Sequence, residues 1–257
     1  MRSEVDESRG ATQGEAIWSA DRLAAVHAQA DKAARVRRMF DAIVPTYELV
    51  NRLFSFGRDG AWREEAVRGA EVQAGEAVLD IACGTGDLLR TFYAACGAQG
   101  CMVGADFAHS MLVRAQDTSS RDLRWCEADA LRLPFADGSF DVTSCAFGVR
   151  NFQDLAGGLK EMYRVVRGGG RAVILEFTRP ANRVIRAVYE FYSGRIMPVG
   201  AALVSGDRMG AYRYLPRSVV SFLGSEEMCA RLRGAGFAEV HARPLTFGVV
   251  TVYVATK

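Results

Sequence analysis

The stretch Val78-Leu79-Asp80-Ile81-Ala82-Cys83-Gly84-Thr85-Gly86-Asp87 decides the fold. An apolar run of strand length breaks at a turn with two glycines, and a helical pattern over 87–96 follows at once. Small residues at such a turn let the backbone approach a ligand, and the first amides of the helix face it. Working outward, apolar runs of strand length recur at 77–83, 101–107, 123–129, 140–147 and 171–177, with helical patterns near 110–117 and 155–166 between them. Strands alternating with helices of this length predict parallel pairing through right-handed crossovers. The last two runs, 238–245 and 249–255, are separated only by Thr246, Phe247 and Gly248. Three residues hold no crossover helix, so these two strands must pair antiparallel.

The turn selects among ligands. A dinucleotide fingerprint reads G-x-G-x-x-G, but its third glycine position here is Leu89, and Asp80 sets a carboxylate where a pyrophosphate would be repelled. S-adenosylmethionine carries no phosphate but does carry an ammonium and a sulfonium, which favour an acid at the loop edge. Asp106 closes the second strand, where a carboxylate can accept both ribose hydroxyls; Asp129, followed by Ala130, closes the third, where one can accept the adenine amino group. Gly84 and Gly86 alone would read as a tight turn, and single acids as helix caps. Three acids in register along one sheet edge favour the cofactor. The expected fold is therefore α/β: a Rossmann-like, class I methyltransferase, doubly wound and mostly parallel seven-stranded sheet with a C-terminal antiparallel hairpin. The cofactor-binding candidates are Asp80, Gly84, Thr85, Gly86, Asp106, Asp129 and Ala130.

Composition narrows the rest. Among 257 residues, 49% hydrophobic and 24% charged, 32 Lys and Arg face 30 Asp and Glu. A net charge of +2 gives no general basic field for nucleic acid. The six cysteines form no CxxC pair and the three histidines lie far apart, so no metal site is expected and the thiols read as reduced and cytoplasmic. No run of about 18 apolar residues predicts a spanning helix. Residues 1–20 read as a disordered tail and 21–70 as a helical arm or lid, with an amphipathic helix over 21–43 that Pro45 ends and a second near 61–69. Residues 71–257 form the main domain.

Five stretches in order then resemble one family. They are Met39-Phe40-Asp41 with Tyr47 to Gly57 and Trp62-Arg63; the cofactor loop; Phe147-Gly148-Val149-Arg150-Asn151-Phe152; Arg164-Val165-Val166-Arg167-Gly168-Gly169-Gly170 to Thr178; and Tyr212-Arg213-Tyr214-Leu215 to Phe222. Together they resemble the ubiquinone/menaquinone C-methyltransferases, from about Val36 to Lys257. The chain departs from that pattern at Glu48, Val50 and Gly168, at Asp59 where many members have His, and at Ala146 where relatives often have a cofactor-contacting Ser. The resemblance implies methylation of a ring carbon of a polyprenylated quinol, a weak nucleophile until its phenol, of pKa about 10, loses a proton. It makes Arg150 the group that stabilises the phenolate and orients a proton-accepting water, Asn151 the holder of that water, and Tyr47 a ring-contacting residue of the lid. Residues 183–222, rich in Tyr, Phe, Val and Met, are expected to cover the isoprenoid tail. The basic cluster Lys32, Arg35, Arg37 and Arg38 is expected on a helix face that touches the inner membrane surface.

The expected partners are the quinol, that membrane surface and a second copy of the chain, with no nucleic acid. Asp59 resembles menaquinone-type bacterial members; a 2-polyprenyl-6-methoxy-1,4-benzoquinol of ubiquinone biosynthesis is the alternative substrate. RNA or a soluble acceptor, and a non-catalytic cofactor-binding member of a quinone-biosynthesis assembly, are the rival readings.

Overall fold

Seven strands stand side by side in the order β3-β2-β1-β4-β5-β7-β6, with β1 Val78–Ile81, β2 Met102–Asp106, β3 Arg124–Glu127, β4 Phe140–Ala146, β5 Val166–Phe177, β6 Glu239–Leu245 and β7 Val250–Thr256. The computed structural model describes residues 17–18, 23, 26–97, 99–205 and 210–257. β1 to β5 run parallel, with Leu79 opposite Val103 on one side and Thr143 on the other. β7 enters antiparallel, placing Ile174 opposite Tyr253, and β6 pairs antiparallel with β7. This is the expected doubly wound sheet with its closing hairpin. The central strands β1, β2 and β4 are buried almost throughout because helices cover both faces. Leu79, Ile81, Ile174 and Tyr253 build the core on one face; Val78, Val142, Leu175 and Val252 build it on the other.

α1 (Lys32–Phe54) and α2 (Asp59–Ala70) form the arm; α3 (Asp87–Cys96), α4 (His109–Thr118) and α5 (Leu155–Val165) are crossovers. After β5 come α6 (Arg183–Phe191), a π-helical stretch (Tyr192–Ile196), α7 (Met197–Ser205), α8 (Ala211–Val220) and α9 (Ser225–Ala235).

The arm corrects two expectations. Pro45 does not end its helix, which runs unbroken through it to Phe54. Pro45 removes one helical hydrogen bond at a cost of about 3 kcal/mol. Met39 and Ile43 before it and Val50 after it bury in one cluster with Tyr212 and Tyr214, and at roughly 1.5–3 kcal/mol per buried side chain that packing outweighs the loss. Nor is 21–43 one helix: Val26–Ala28 is a 3-10 turn and the α-helix starts at Lys32. Asp21 lies outside the described residues. So does most of the stretch read as a tail; its Ile17 and Trp18 are buried, Trp18 against the Tyr214 ring at 4.3 Å.

Candidate active site

Two cavities open at the carboxyl edge of the sheet. The smaller is lined by Gly84, Asp106, Asp129 and Ala130, together with Ala82, Ala146, Phe147 and Asn151. Asp106 shapes it: one carboxylate oxygen accepts the Gly84 N–H and the other the Ala108 N–H, each at 2.8 Å. Asp129 accepts the Leu131 N–H at 2.9 Å, so the next loop turns back beside it. Gly84 has φ +55° and nothing within 4 Å of where a Cβ would stand. Ala82 and Phe147 hold positive φ without being glycine, at 54° and 56°; such strain gathers at ligand sites. No Lys or Arg lines this cavity among the described residues, which suits a ligand with hydroxyls and a cationic end and no phosphate.

Three sequence candidates stand outside that lining. Asp80 is buried and accepts the Ser144 hydroxyl at 2.7 Å; burial pushes its carboxyl up to about 7, and Asp106's up to about 6. Thr85 is buried within the loop. Gly86 makes room for a neighbour: a Cβ there would lie 2.4 Å from the Trp125 ring, and one on Gly104 2.5 Å from it. Sequence reading passed over Trp125, because nothing local ties it to a glycine of another loop.

The larger cavity, of about 210 Å³, is mainly apolar, with walls from α1, the 183–205 helices and α8. Its charged lining is Arg58, Asp59, Arg63 and Arg150. Arg150 is buried, donating to Glu176 at 2.6 Å, to the Phe147 carbonyl at 2.5 Å and to Ser218 at 3.3 Å. Its guanidinium lies 5.5 Å from the Phe177 ring centre, and its Nη2 bonds to no described residue. Arg63 bridges Asp59 at 2.7 Å and Asp87 at 3.1 Å. Burial raises the Asp59 carboxyl, but its bonds with Arg63 and Ser55 outweigh that and hold it below the usual range. Burial also raises the Tyr47 phenol.

Phe40, Tyr47 and Phe147 line both cavities. The two spaces therefore meet at a wall of three aromatic rings, with Arg150 on one side and Asn151 on the other. Asn151 is buried and accepts the Tyr214 hydroxyl at 2.8 Å, so a carbonyl lone pair expected to hold water already has a partner. Glu176 and Tyr214 escaped the sequence reading as site residues, since each acts across 26 and 63 positions respectively.

Lys32 corrects the basic cluster. It is buried, at 2% exposure, and donates to the carbonyls of Arg150 and Phe152 at 2.8 and 2.7 Å. It thus pins the turn that carries Asn151, and burial lowers its ammonium to about 8. Arg35 pairs with Asp31 and Arg37 with Glu127. An amphipathic pattern cannot distinguish a solvated lysine from one reaching carbonyls more than a hundred positions away.

Comparison with known proteins follows the same lines. The profile of the ubiE/COQ5 methyltransferase family matches residues 28–257. A demethylmenaquinone methyltransferase of Thermus thermophilus is 46% identical over 223 residues, covering 85% of this chain and 100% of the relative. A ubiquinone/menaquinone biosynthesis C-methyltransferase UbiE of Geotalea uraniireducens is 41% identical over 236 residues, covering 88% and 98%. A solved SAM-dependent methyltransferase of Thermotoga maritima shares the fold, with a TM-score of 0.61 at 20% identity over 86% of this chain and 99% of that one. The chain belongs to the ubiE/COQ5 methyltransferase family.

Proposed function

We propose that this chain is an S-adenosylmethionine-dependent C-methyltransferase of quinone biosynthesis that converts demethylmenaquinol to menaquinol. The observation that carries the proposal is the junction at Phe40, Tyr47 and Phe147 of a carboxylate-lined cavity with an apolar one. The first suits an adenosyl group, with Asp106 for the ribose hydroxyls and Asp129 and Ala130 for the adenine. The second suits a flat ring with an isoprenoid tail. Relatives named for demethylmenaquinone support the naphthoquinol over the benzoquinol.

When bound, S-adenosylmethionine supplies an electrophilic methyl group on a sulfonium. The protein's own residues must align the ring carbon in line, at about 3–3.5 Å, and lower the cost of ionising the neighbouring phenol. Arg150 serves the second task. Its charge is balanced by Glu176, its position is fixed by Phe147 and Ser218, and its Nη2, which bonds to no described residue, is a preorganised donor to a developing phenolate. It keeps its own proton and is no base. Asp59 is the only carboxylate lining the apolar cavity among the described residues. Bonded by Ser55 on one oxygen and Arg63 on the other, it is too weak a base to take the phenol proton itself, and water at the cavity accepts that proton. Tyr47 and Phe147 exclude water between the two ligands, and Ala146 contributes only a methyl where relatives often place a hydroxyl.

Incubation with methyl-labelled S-adenosylmethionine and two reduced acceptors, a demethylnaphthoquinol and a methoxybenzoquinol, tests the reading by product mass. Label on a ring carbon of the naphthoquinol, formed at least tenfold faster than on the benzoquinol, is the expected result. Cofactor binding without transfer to either ring would instead favour the non-catalytic reading.

A further inference from the structure

The run from Arg183 to Ser205 forms the outer wall of the apolar cavity, with Tyr189, Tyr192 and Met197 turned inward to line it. Its outer side is apolar as well. Val184, Val188, Phe191, Ile196, Val199 and Leu203 are all exposed, Val188 at 65% and Leu203 at 83%. Their spacing is four, three, five, three and four. The step of five falls across the π-helical stretch Tyr192–Ile196, where the wider turn absorbs one residue and keeps the stripe on one face. A helix run apolar on both sides covers a cavity with one and leaves the other in contact with water, which a soluble surface does not need.

Basic groups flank the stripe. Arg183 and Arg195 are exposed, and the only acid in the run, Glu190, is paired with Arg179. Phe56 joins the face to the cavity: it is exposed, it lines the cavity, and its ring lies 5.4 Å from that of Tyr192. No described helix is long and apolar enough to cross a membrane. We propose that this face docks the enzyme on a bilayer of anionic phospholipid, the stripe entering the headgroup boundary and the arginines meeting the phosphates. Docked in this way, the cavity takes its ligand from the lipid at the Phe56 edge; that purpose rests on the quinol reading, while the docking itself does not.

The test is sedimentation of the full chain with vesicles of phosphatidylglycerol and phosphatidylcholine, beside a variant carrying Val188→Glu and Leu203→Glu. Neither residue lines the cavity. Wild type is expected to pellet with these vesicles, to bind phosphatidylcholine alone several-fold less, and to lose at least tenfold in partitioning in the variant. The two proteins are expected to melt alike and to methylate a tail-less naphthoquinol equally fast. Equal pelleting of wild type and variant, or no pelleting of wild type, overturns the proposal. So does a wild-type dimer that the variant dissociates in analytical ultracentrifugation, since a second copy would then cover the face. Should neither protein methylate the tail-less quinol while wild type still pellets, the quinol reading fails and the docking stands.

Discussion

Replacing Glu176 by Ala is expected to lower stability by about 3–5 kcal/mol, because Arg150 is then left as an uncompensated charge in a buried site. Arg150→Ala carries a similar penalty for the reciprocal reason. Their double replacement by apolar residues is expected to recover most of the loss, since the pair's attraction largely offsets the desolvation of both ions. Urea unfolding of the three variants measures this, and additive single losses in the double variant would contradict a direct pair. Activity separates the structural role from the chemical one. Arg150→Lys keeps a charge beside Glu176 but loses the planar fork that reaches Glu176, Phe147 and a phenolate together. It is expected to fold, to bind the cofactor normally and to turn over about 10²–10³-fold more slowly, the usual loss for a preorganised donor to a developing oxyanion. Wild-type turnover in that variant would remove the guanidinium from the reaction.

The second large effect is one of pH. Burial is the leading cause that raises the Asp80 carboxyl to about 7 and the Asp106 carboxyl to about 6. In the unfolded chain both return to about 4. The ligand-free fold therefore binds more protons than the unfolded chain between about pH 4 and 7. The stability these groups contribute is fully present below pH 4 and is lost as pH rises through 6 and 7. A cationic cofactor reverses the preference, since its ammonium and sulfonium favour the ionised carboxylates and its binding releases protons. Affinity for S-adenosylmethionine is thus expected to be about tenfold weaker at pH 5.5 than at pH 8, with most of that slope removed in Asp80→Asn. Calorimetry at the two pH values decides it: equal affinity in the wild type would mean that neither carboxyl senses the cofactor's charge.

What was legible in the sequence is what local pattern and spacing encode. The β1 turn and the alternation around it give the parallel sheet, and the three-residue gap at Thr246–Gly248 gives the antiparallel close. Asp106, Asp129, Ala130 and Gly84 meet at one cavity because each ends or follows a strand of that sheet. Hidden were the residues whose partners are distant in sequence. Glu176 beneath Arg150, Lys32 under the Arg150 turn, Tyr214 on Asn151 and Trp125 against Gly86 are set by packing between elements, which no local period records. Pro45 misled for the opposite reason: its local rule is sound, but the buried faces on either side of it weigh more.

The proposed reaction needs adenosyl and quinol ligands to meet across the Phe40, Tyr47 and Phe147 wall. The most direct measurement is a crystal structure with S-adenosylhomocysteine and a short-tailed demethylnaphthoquinol bound together. The ribose is expected on Asp106 and the quinol ring in the apolar cavity against Arg150, its unmethylated carbon facing the sulfur past Tyr47. A quinol bound away from Arg150, or an adenosyl group outside the Asp106 cavity, would contradict that arrangement.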